Sequence, residues 1–310
     1  MKIAAICTET SGFASLDDLR KRHQITEIGI PALPNDAIRQ HLGFSEYSGL
    51  PLFRLRETSL EADLSRWFVE SKPDVLLVFG FPWKLPLGPL TQLPHGGFNV
   101  HYGTLPQFRG PQPVFWAVRE RAANIGITIH RIDAGLDTGP IAVHRLVPSV
   151  SNDTHGLAIA RLGGPATEAS LELVSNLERG ALALVPQDVG LARYQPKPTD
   201  RELSIQWDRD GAASIAALIR AANPYHGGAL TMLRGNQLRI WQAATGALPG
   251  GAPPPGTIIA ANAQQGLITV SRDGFWIRLD VVSIREGLFT GDEFATRLGI
   301  QPGEMLANLP

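Results

Sequence analysis

Six residues, D-V-L-L-V-F from Asp74 to Phe79, narrow the architecture more than any other stretch of this 310-residue chain. After the aspartate, Val75 to Phe79 form an uninterrupted apolar run of strand length. Just before them, Leu60, Leu64, Trp67 and Phe68 recur at helical spacing between Leu60 and Glu70, so the two segments read as a βα repeat. The opening run K-I-A-A-I-C, Lys2 to Cys7, is a second buried strand. The fold expected from these elements is α/β, an open Rossmann-like sheet with helices on both faces. The turn after the first strand holds only Gly12, so the dinucleotide fingerprint G-x-G-x-x-G is missing and a nicotinamide cofactor is not expected. After Phe79, Gly80, Pro82 and Pro86 stop the strand. The loop they frame carries Phe81, Trp83 and Lys84 on irregular, apolar backbone of the kind that holds a flat heterocycle. Plain core packing is the competing reading for its aromatics.

The polar groups gather farther on. Phe98 to Gly110 reads F-N-V-H-Y-G-T-L-P-Q-F-R-G, and His130 to Gly139 answers it with H-R-I-D-A-G-L-D-T-G. Gly97 to Val100 has β character, so Asn99 and His101, two apart, share one side of the pleat. Gly103, Pro106 and Gly110 then break the strand and leave the pair at a strand end, where open α/β sheets bind ligands. An asparagine cannot titrate; its catalytic use is as a donor to charge developing on a carbonyl oxygen. A histidine at the same centre takes or gives a proton. Asp133 or Asp137, on the glycine-bounded turn, can orient the imidazole and stabilise its charged form. The segment has no Ser, Cys or Lys, and Thr104 has no base at a fixed spacing. Direct attack by a substrate group on a bound acyl donor therefore fits better than a covalent enzyme intermediate. A hydrogen-bonded histidine at a strand end is the ordinary structural alternative. As metal ligands, His95, His101, His130, Asp133 and Asp137 lack both H-E-x-x-H and paired cysteines, and no metal is expected. His23, His41, His144, His155 and His226 have no motif company and are assigned ordinary surface or core roles.

Gln112 to Arg121 reads as a helix, Ile125 to Ile132 and Ile141 to Val147 as adjacent strands. Asp153 and Thr154 are caps for a helix to about Leu162, and Ala166 to Leu184 supplies another. From Val185 the chain becomes a proline-punctuated connector through Thr199. Beyond it come a helix over Ile215 to Ala222 and short β runs at Ala229 to Leu233, Gln237 to Gln242, Gly256 to Ala260, Gly266 to Val270 and Gly274 to Ile284. Ala243 to Pro255 is expected to be a loop. The expected domains are residues 1–189, a linker 190–203, and a small β-rich, barrel-like unit 204–310 related to the oligomer-binding barrel. A single cysteine, Cys7, excludes an internal disulfide, and the chain opens on a strand rather than a signal peptide, so a cytoplasmic, membrane-free protein is expected. A formal charge of −1 carries no basic signature for nucleic acid.

Together, F-N-V-H-Y-G-T-L-P-Q-F-R-G and G-I-T-I-H-R-I-D-A-G-L-D-T-G resemble the signature of the folate-dependent formyltransferases, which include methionyl-tRNA, glycinamide ribonucleotide and sugar N-formyltransferases. The resemblance covers nearly the whole chain. Asp74 to Phe79 and Gly80 to Pro86 match the folate-site strand and loop. Tyr194, Pro196 and Lys197, N-P-Y-H-G-G from Asn223 and L-R-I-W from Leu238 are similar to the carboxyl-terminal domain of the tRNA enzymes and of the aminoarabinose formyltransferase domain. It implies formyl transfer from 10-formyltetrahydrofolate to an amine, without metal. Asn99 and protonated His101 would stabilise the tetrahedral oxyanion while Asp137 holds His101 and helps relay the proton. The resemblance also implies a pterin lying against Phe81, Pro82, Trp83, Lys84 and Leu85 and against Asp133, Ala134 and Gly135.

The acceptor is where the chain departs from the tRNA enzymes. The family's H-x-S-L-L-P is here His101, Tyr102, Gly103, Thr104, Leu105 and Pro106, which places Tyr102 and Thr104 beside the reacting nitrogen. Their basic, glycine-rich insertion is missing; Ile30 to Tyr47 contains Arg39 as its only strong cation. Arg201 to Pro310 holds nine arginines, no lysine and nine acidic residues, a poor footprint for a polyanion bound through phosphates. A small amine, such as a nucleotide-linked amino sugar or an amino-acid derivative, is therefore expected before initiator tRNA. Arg109 is expected to meet its phosphate or carboxylate, with a structural ion pair as the alternative. A hydrolase releasing formate would use the same trio with water, but its relatives carry a regulatory domain ahead of the catalytic one, and this chain starts at the first strand.

Overall fold

The computed structural model describes residues 1–34, 38, 40 and 51–309; Arg39, His41 and most of the segment from Ile30 to Tyr47 lie outside them. The described chain divides into two compact units, one made of Met1–Pro113, Asn124–Pro148 and Ile159–Pro196, the other of Val114–Ala123, Ser149–Ala158 and Lys197–Pro310.

The first unit is built on strands β1 (Lys2–Cys7), β2 (Gln24–Pro31), β3 (Leu52–Leu55), β4 (Val75–Phe79), β5 (Gly97–His101), β6 (Asn124–Arg131) and β7 (Ile141–Pro148). Their order is β3-β2-β1-β4-β5-β6-β7. The first five run parallel, and β6 and β7 turn antiparallel, so the sheet is mixed. All five residues of β4 are buried, as are five of the six in β1, which is why both read as apolar runs rather than alternations. Helix Leu60–Ser71 lays Leu60, Leu64, Trp67 and Phe68 on the sheet, in one apolar cluster with Ile6, Leu76 and Val78.

Where two helices are expected after Asp153, one helix runs unbroken from His155 to Glu178 with Pro165 inside it. Thr154 caps it by accepting the Leu157 N–H at 3.2 Å. A proline removes one intrahelical hydrogen bond without unwinding the turns on either side. The connector that follows is hydrogen-bonded along its course: Val185 exchanges backbone bonds with Ile141, and Arg193 and Gln195 donate to Pro106 and Arg109.

In the second unit, β8 (Ala229–Leu233), β9 (Asn236–Ala247), β10 (Ile258–Asn262), β11 (Gly266–Val270), β12 (Phe275–Ile284), β13 (Gly287–Thr290) and β14 (Leu306–Ala307) form one sheet. Its order is β10-β11-β12-β9-β8-β14, with β13 also on β12. Ala243 to Ala247 is strand rather than loop, because the ten-residue β12 keeps pairing β9 as far as Phe275↔Ala247. The sheet curls into a half-barrel. Its edges are tied where Leu306 donates to Gly256, Ile258 to Glu304 and Gly303 to Ile258. Helix Ala212–Ala222 fills it with Ile215, Leu218 and Ile219. Among the described residues no helix is long and apolar enough to cross a membrane.

Candidate active site

β5 carries Asn99 and His101 to the carboxyl end of the parallel strands, and its antiparallel pairing with β6 sets Asn99 opposite His130 and His101 opposite Thr128. Thr128 is fully buried. Its hydroxyl donates to the Gly103 carbonyl at 2.7 Å and accepts the Leu105 N–H at 3.2 Å, so it turns the chain out of β5. The loop folds back over the imidazole. His101 Nε2 donates to the Phe108 carbonyl at 2.7 Å, which puts the ring's proton on Nε2 and leaves Nδ1 facing the turn after β6. Glycine at 103 permits this closure: a Cβ there would come within 2.5 Å of Pro113 Cβ and 2.7 Å of His101 Nε2.

The two aspartates of that turn do different work. Asp133 Oδ1 accepts the Gly135 N–H at 3.0 Å and the Thr138 hydroxyl at 2.6 Å, which closes the turn on itself. Asp137 has a left-handed backbone, φ 54°, and sends its carboxylate inward. Its Oδ1 accepts from Asn99 Nδ2 at 3.2 Å and lies 3.3 Å from His130 Nε2 and 3.7 Å from His101 Nδ1, while Oδ2 accepts the Gly110 N–H at 2.8 Å. Asn99, His101 and Asp137 are thus brought together around one carboxylate oxygen.

Burial works against charge on Asp137, yet the His101 and His130 rings and the Gly110 N–H outweigh it and hold the carboxyl well below the usual range. Burial pushes His101 below the ordinary imidazole value, and His130 adds to this; Asp137 and the Phe108 carbonyl pull the other way without overcoming it. The resting ring is therefore neutral at neutral pH, in place of the protonated form that the resemblance implies.

Three neighbours escape a reading of the sequence. His130, which the sequence offered only as a metal ligand, is 3.2 Å from Asn99 Nδ2; its position opposite Asn99 in the β5–β6 register was the available signal. Thr128 is the second. Gln187, far along the chain in the connector, donates to the carbonyls of Asp137 and Gly139 and accepts from Arg109, a set of contacts with no local signature. Arg109 is accordingly held by a neutral amide, and among the described residues its guanidinium has no carboxylate partner. The next residue, Gly110, has φ 111°, and a Cβ on it would lie 2.1 Å from the Gln195 carbonyl oxygen, so the connector packs directly on the loop.

Phe81 and Trp83 are half-buried and meet edge to face at 5.1 Å; with Leu85 they pack on the same apolar cluster as Ile132, the residue that leads into Asp133. Pro82, Lys84, Ala134 and Gly135 are exposed. Tyr102 is buried, its hydroxyl donating to Ser11 O at 3.1 Å, and burial pushes its phenol up to about 12. Thr104 is buried too, its methyl against β6 where a Cβ on Gly126 would meet it at 2.8 Å. Among the described residues no group of three or more His, Cys, Asp or Glu side chains is placed to hold a metal ion.

Two family models match the chain, formyl transferase over residues 14–172 and formyl transferase, C-terminal domain, over residues 197–296. A methionyl-tRNA formyltransferase of Dictyoglomus thermophilum is 32% identical over 200 residues, 64% of this chain and 64% of its own length. A methionyl-tRNA formyltransferase of Acidithiobacillus ferrooxidans is 32% identical over 266 residues, 84% of this chain and 81% of its own. Among solved structures, HypX from Aquifex aeolicus in complex with tetrahydrofolic acid shares the fold with a TM-score of 0.67 at 17% identity, over 98% of this chain and 48% of that one. The N-formyltransferase from Helicobacter canadensis, in complex with folinic acid and dTDP-3-aminofucose, does so with a TM-score of 0.60 at 14% identity, over 89% of this chain and 98% of that one.

Proposed function

The chain belongs to the formyl transferase family, and from that premise we propose that it moves a formyl group from 10-formyltetrahydrofolate to a small primary amine. The observation that carries this reading is the meeting of Asn99, His101 and Asp137 at the end of β5. Phe81, Pro82, Trp83, Lys84 and Leu85 on one side and Asp133, Ala134 and Gly135 on the other are assigned to the folate. An apolar, aromatic rim beside exposed main chain suits a flat heterocycle. When bound, the folate supplies the formyl carbonyl as electrophile.

His101, neutral at rest, takes the proton released by the attacking amine at Nδ1, and the Asp137 carboxylate stabilises the imidazolium that results. As the bond from the formyl carbon to the folate nitrogen breaks, His101 gives that proton to the leaving nitrogen, so tetrahydrofolate departs with that nitrogen neutral and the imidazole is restored. Asn99 is the donor to the developing oxygen charge. At rest its Nδ2 spends its two hydrogens on Asp137 and His130, so donation to the substrate exchanges the bond to His130. Arg109 keeps a full charge against a neutral amide, which suits an acceptor carrying phosphate or carboxylate. Tyr102, with its hydroxyl already bonded, and Thr104, with its methyl packed, shape the acceptor side rather than donate to it. A cytoplasmic setting goes with this reading and with a free, buried Cys7.

A small acceptor is supported by the charge of the carboxyl-terminal region. Arg209, Arg234, Arg278 and Arg297 pair with Asp208, Glu304, Asp280 and Glu293, so several of its cations are already answered by carboxylates. Initiator tRNA is the second reading, because the relatives that align over most of the chain are methionyl-tRNA formyltransferases. Tetrahydrofolate release, followed with dTDP-linked amino sugars and with methionyl initiator tRNA, separates the two. Turnover with an amino sugar and tRNA binding that vanishes near physiological salt supports the small amine. Turnover on tRNA alone overturns it, and no release with any acceptor overturns formyl transfer.

A further inference from the structure

The side-chain amide of Gln187 makes four hydrogen bonds. Nε2 donates to the carbonyls of Asp137 at 2.9 Å and Gly139 at 2.8 Å, and Oε1 accepts from Arg109 Nε at 3.1 Å and Nη2 at 2.8 Å. Both donors and both acceptor sites of the group are used. The two halves of this amide look toward different jobs. The nitrogen end fixes the main chain of Asp137, whose left-handed φ of 54° is what turns the carboxylate toward His101 and Asn99. The oxygen end aims the Arg109 guanidinium. The adjoining Gly110 N–H bonds the Asp137 carboxylate itself, so the loop and the turn are joined twice.

We propose that Gln187 is a positioning residue that locks the Asp137 carboxylate onto His101 with one end of its amide and presents Arg109 to an anionic acceptor with the other. The role follows from the functional group. Glutamate at the same length keeps the acceptor end but loses both donors; methionine keeps length and bulk but has neither end. The titratable groups that face His101 are Asp137 on the turn and His130 on β6, with the Phe108 carbonyl on the loop. Release of Asp137 therefore removes the carboxylate that, among the described residues, raises the His101 pKa.

The proposal rests on the roles assigned to His101 and Asp137 in formyl transfer, and its test is chosen to be read without turnover as well. In the full chain, the titration of the His101 ring is followed by NMR in the absence of substrate, with His101→Gln used to assign the signal. Gln187→Met should lower the midpoint by about one pH unit, since a nearby opposite charge is worth that much or more. The thermal midpoint should stay within a few degrees of the parent. With the acceptor that supports tetrahydrofolate release, Gln187→Met should lower kcat by about 100-fold and raise the acceptor KM. Gln187→Glu should restore the KM through Arg109 while kcat stays low. An unchanged His101 titration in Gln187→Met overturns the proposal whatever the activity. So does equal recovery of kcat and KM in Gln187→Glu. A shifted titration in a chain that transfers no formyl group leaves the positioning role standing and removes the functional reading instead.

Discussion

Each unit of the molecule buries a histidine, and the two are built in opposite ways. His155, in the carboxyl-terminal unit, is 4% exposed. Its ring meets Phe115 at 6.2 Å and Tyr225 at 4.9 Å, both edge to face, and lies nearly parallel to His226 at 6.1 Å. Among the described residues its Nδ1 has no hydrogen-bond partner. Burial lowers its pKa to about 4; His226 lowers it further, and only a backbone hydrogen bond at Ala221 resists. His101 is as deeply buried, but a carboxylate sits 3.7 Å from one ring nitrogen and a carbonyl 2.7 Å from the other. Burial alone makes an imidazole that stays neutral and does nothing. Burial opposed by a carboxylate makes one that can gain and lose a proton during a reaction.

The largest test of this contrast is loss of turnover. His101→Ala, Asn99→Ala and Asp137→Asn should each lower kcat by roughly 100- to 1000-fold, the effect of removing one group that stabilises charge in the transition state, equivalent to about 2.7 to 4 kcal/mol of barrier. His155→Phe should leave kcat within a factor of about two, because the contacts of His155 are packing contacts. Steady-state kinetics on the four variants decides it. If His155→Phe costs as much as His101→Ala, the distinction between the two histidines is wrong.

The next effect is on stability, and its sign follows from the same comparison. His155 titrates near its ordinary value in the unfolded chain and at about 4 in the folded one, so the folded state resists protonation. Its contribution is complete above the unfolded pKa of about 6.5 and is lost progressively as pH falls toward 4. A difference of about 2.5 pH units corresponds to roughly 3 kcal/mol at the acid end of that window. Denaturant melts of the parent and of His155→Phe from pH 7 to pH 4 should converge on this slope: steep for the parent, flatter for the variant. Parallel curves would mean that His155 is already paired by something that raises its pKa.

This division was only partly legible in the sequence. β1 and β4 announced themselves because strands covered on both faces read as near-continuous apolar runs. β2 and β3 did not, since Q-I-T-E-I-G-I-P carries polar residues inside it and L-F-R-L is only four residues long. The trio proposed as catalytic, Asn99, His101 and Asp137, was visible because its members sit in two compact motifs, each with its own glycines. The choice between Asp133 and Asp137 needed coordinates, because both lie on one turn and only hydrogen bonding shows which carboxylate is spent on the turn. Gln187 and Thr128 were invisible for a related reason. Their main-chain partners, Asp137 and Gly103, are 50 and 25 residues away, and a bond to a carbonyl leaves no trace in residue type at the other end; the Arg109 side chain that meets Gln187 is farther still, 78 residues back. For want of motif company the sequence leaves His155 an ordinary role at the surface or in the core, and burial places it in the core.

The smallest expected effect sharpens the contrast inside the active site itself, between a polar group that reacts and one that only holds the frame. Tyr102 follows His101 directly, yet its hydroxyl donates to the Ser11 carbonyl in the loop after β1, and burial keeps the phenol protonated through the whole working range of pH. A group so committed cannot serve as acid, base or substrate donor without giving up that bond. Tyr102→Phe removes the hydroxyl and keeps the ring, so it should cost about 1 kcal/mol in stability, the net worth of one intramolecular hydrogen bond. It should leave kcat and the pH limb set by His101 where they are. A thermal melt reads the first and a pH–rate profile the second. A drop in kcat beyond about tenfold with an unchanged melt would move Tyr102 from the frame of the site into its chemistry.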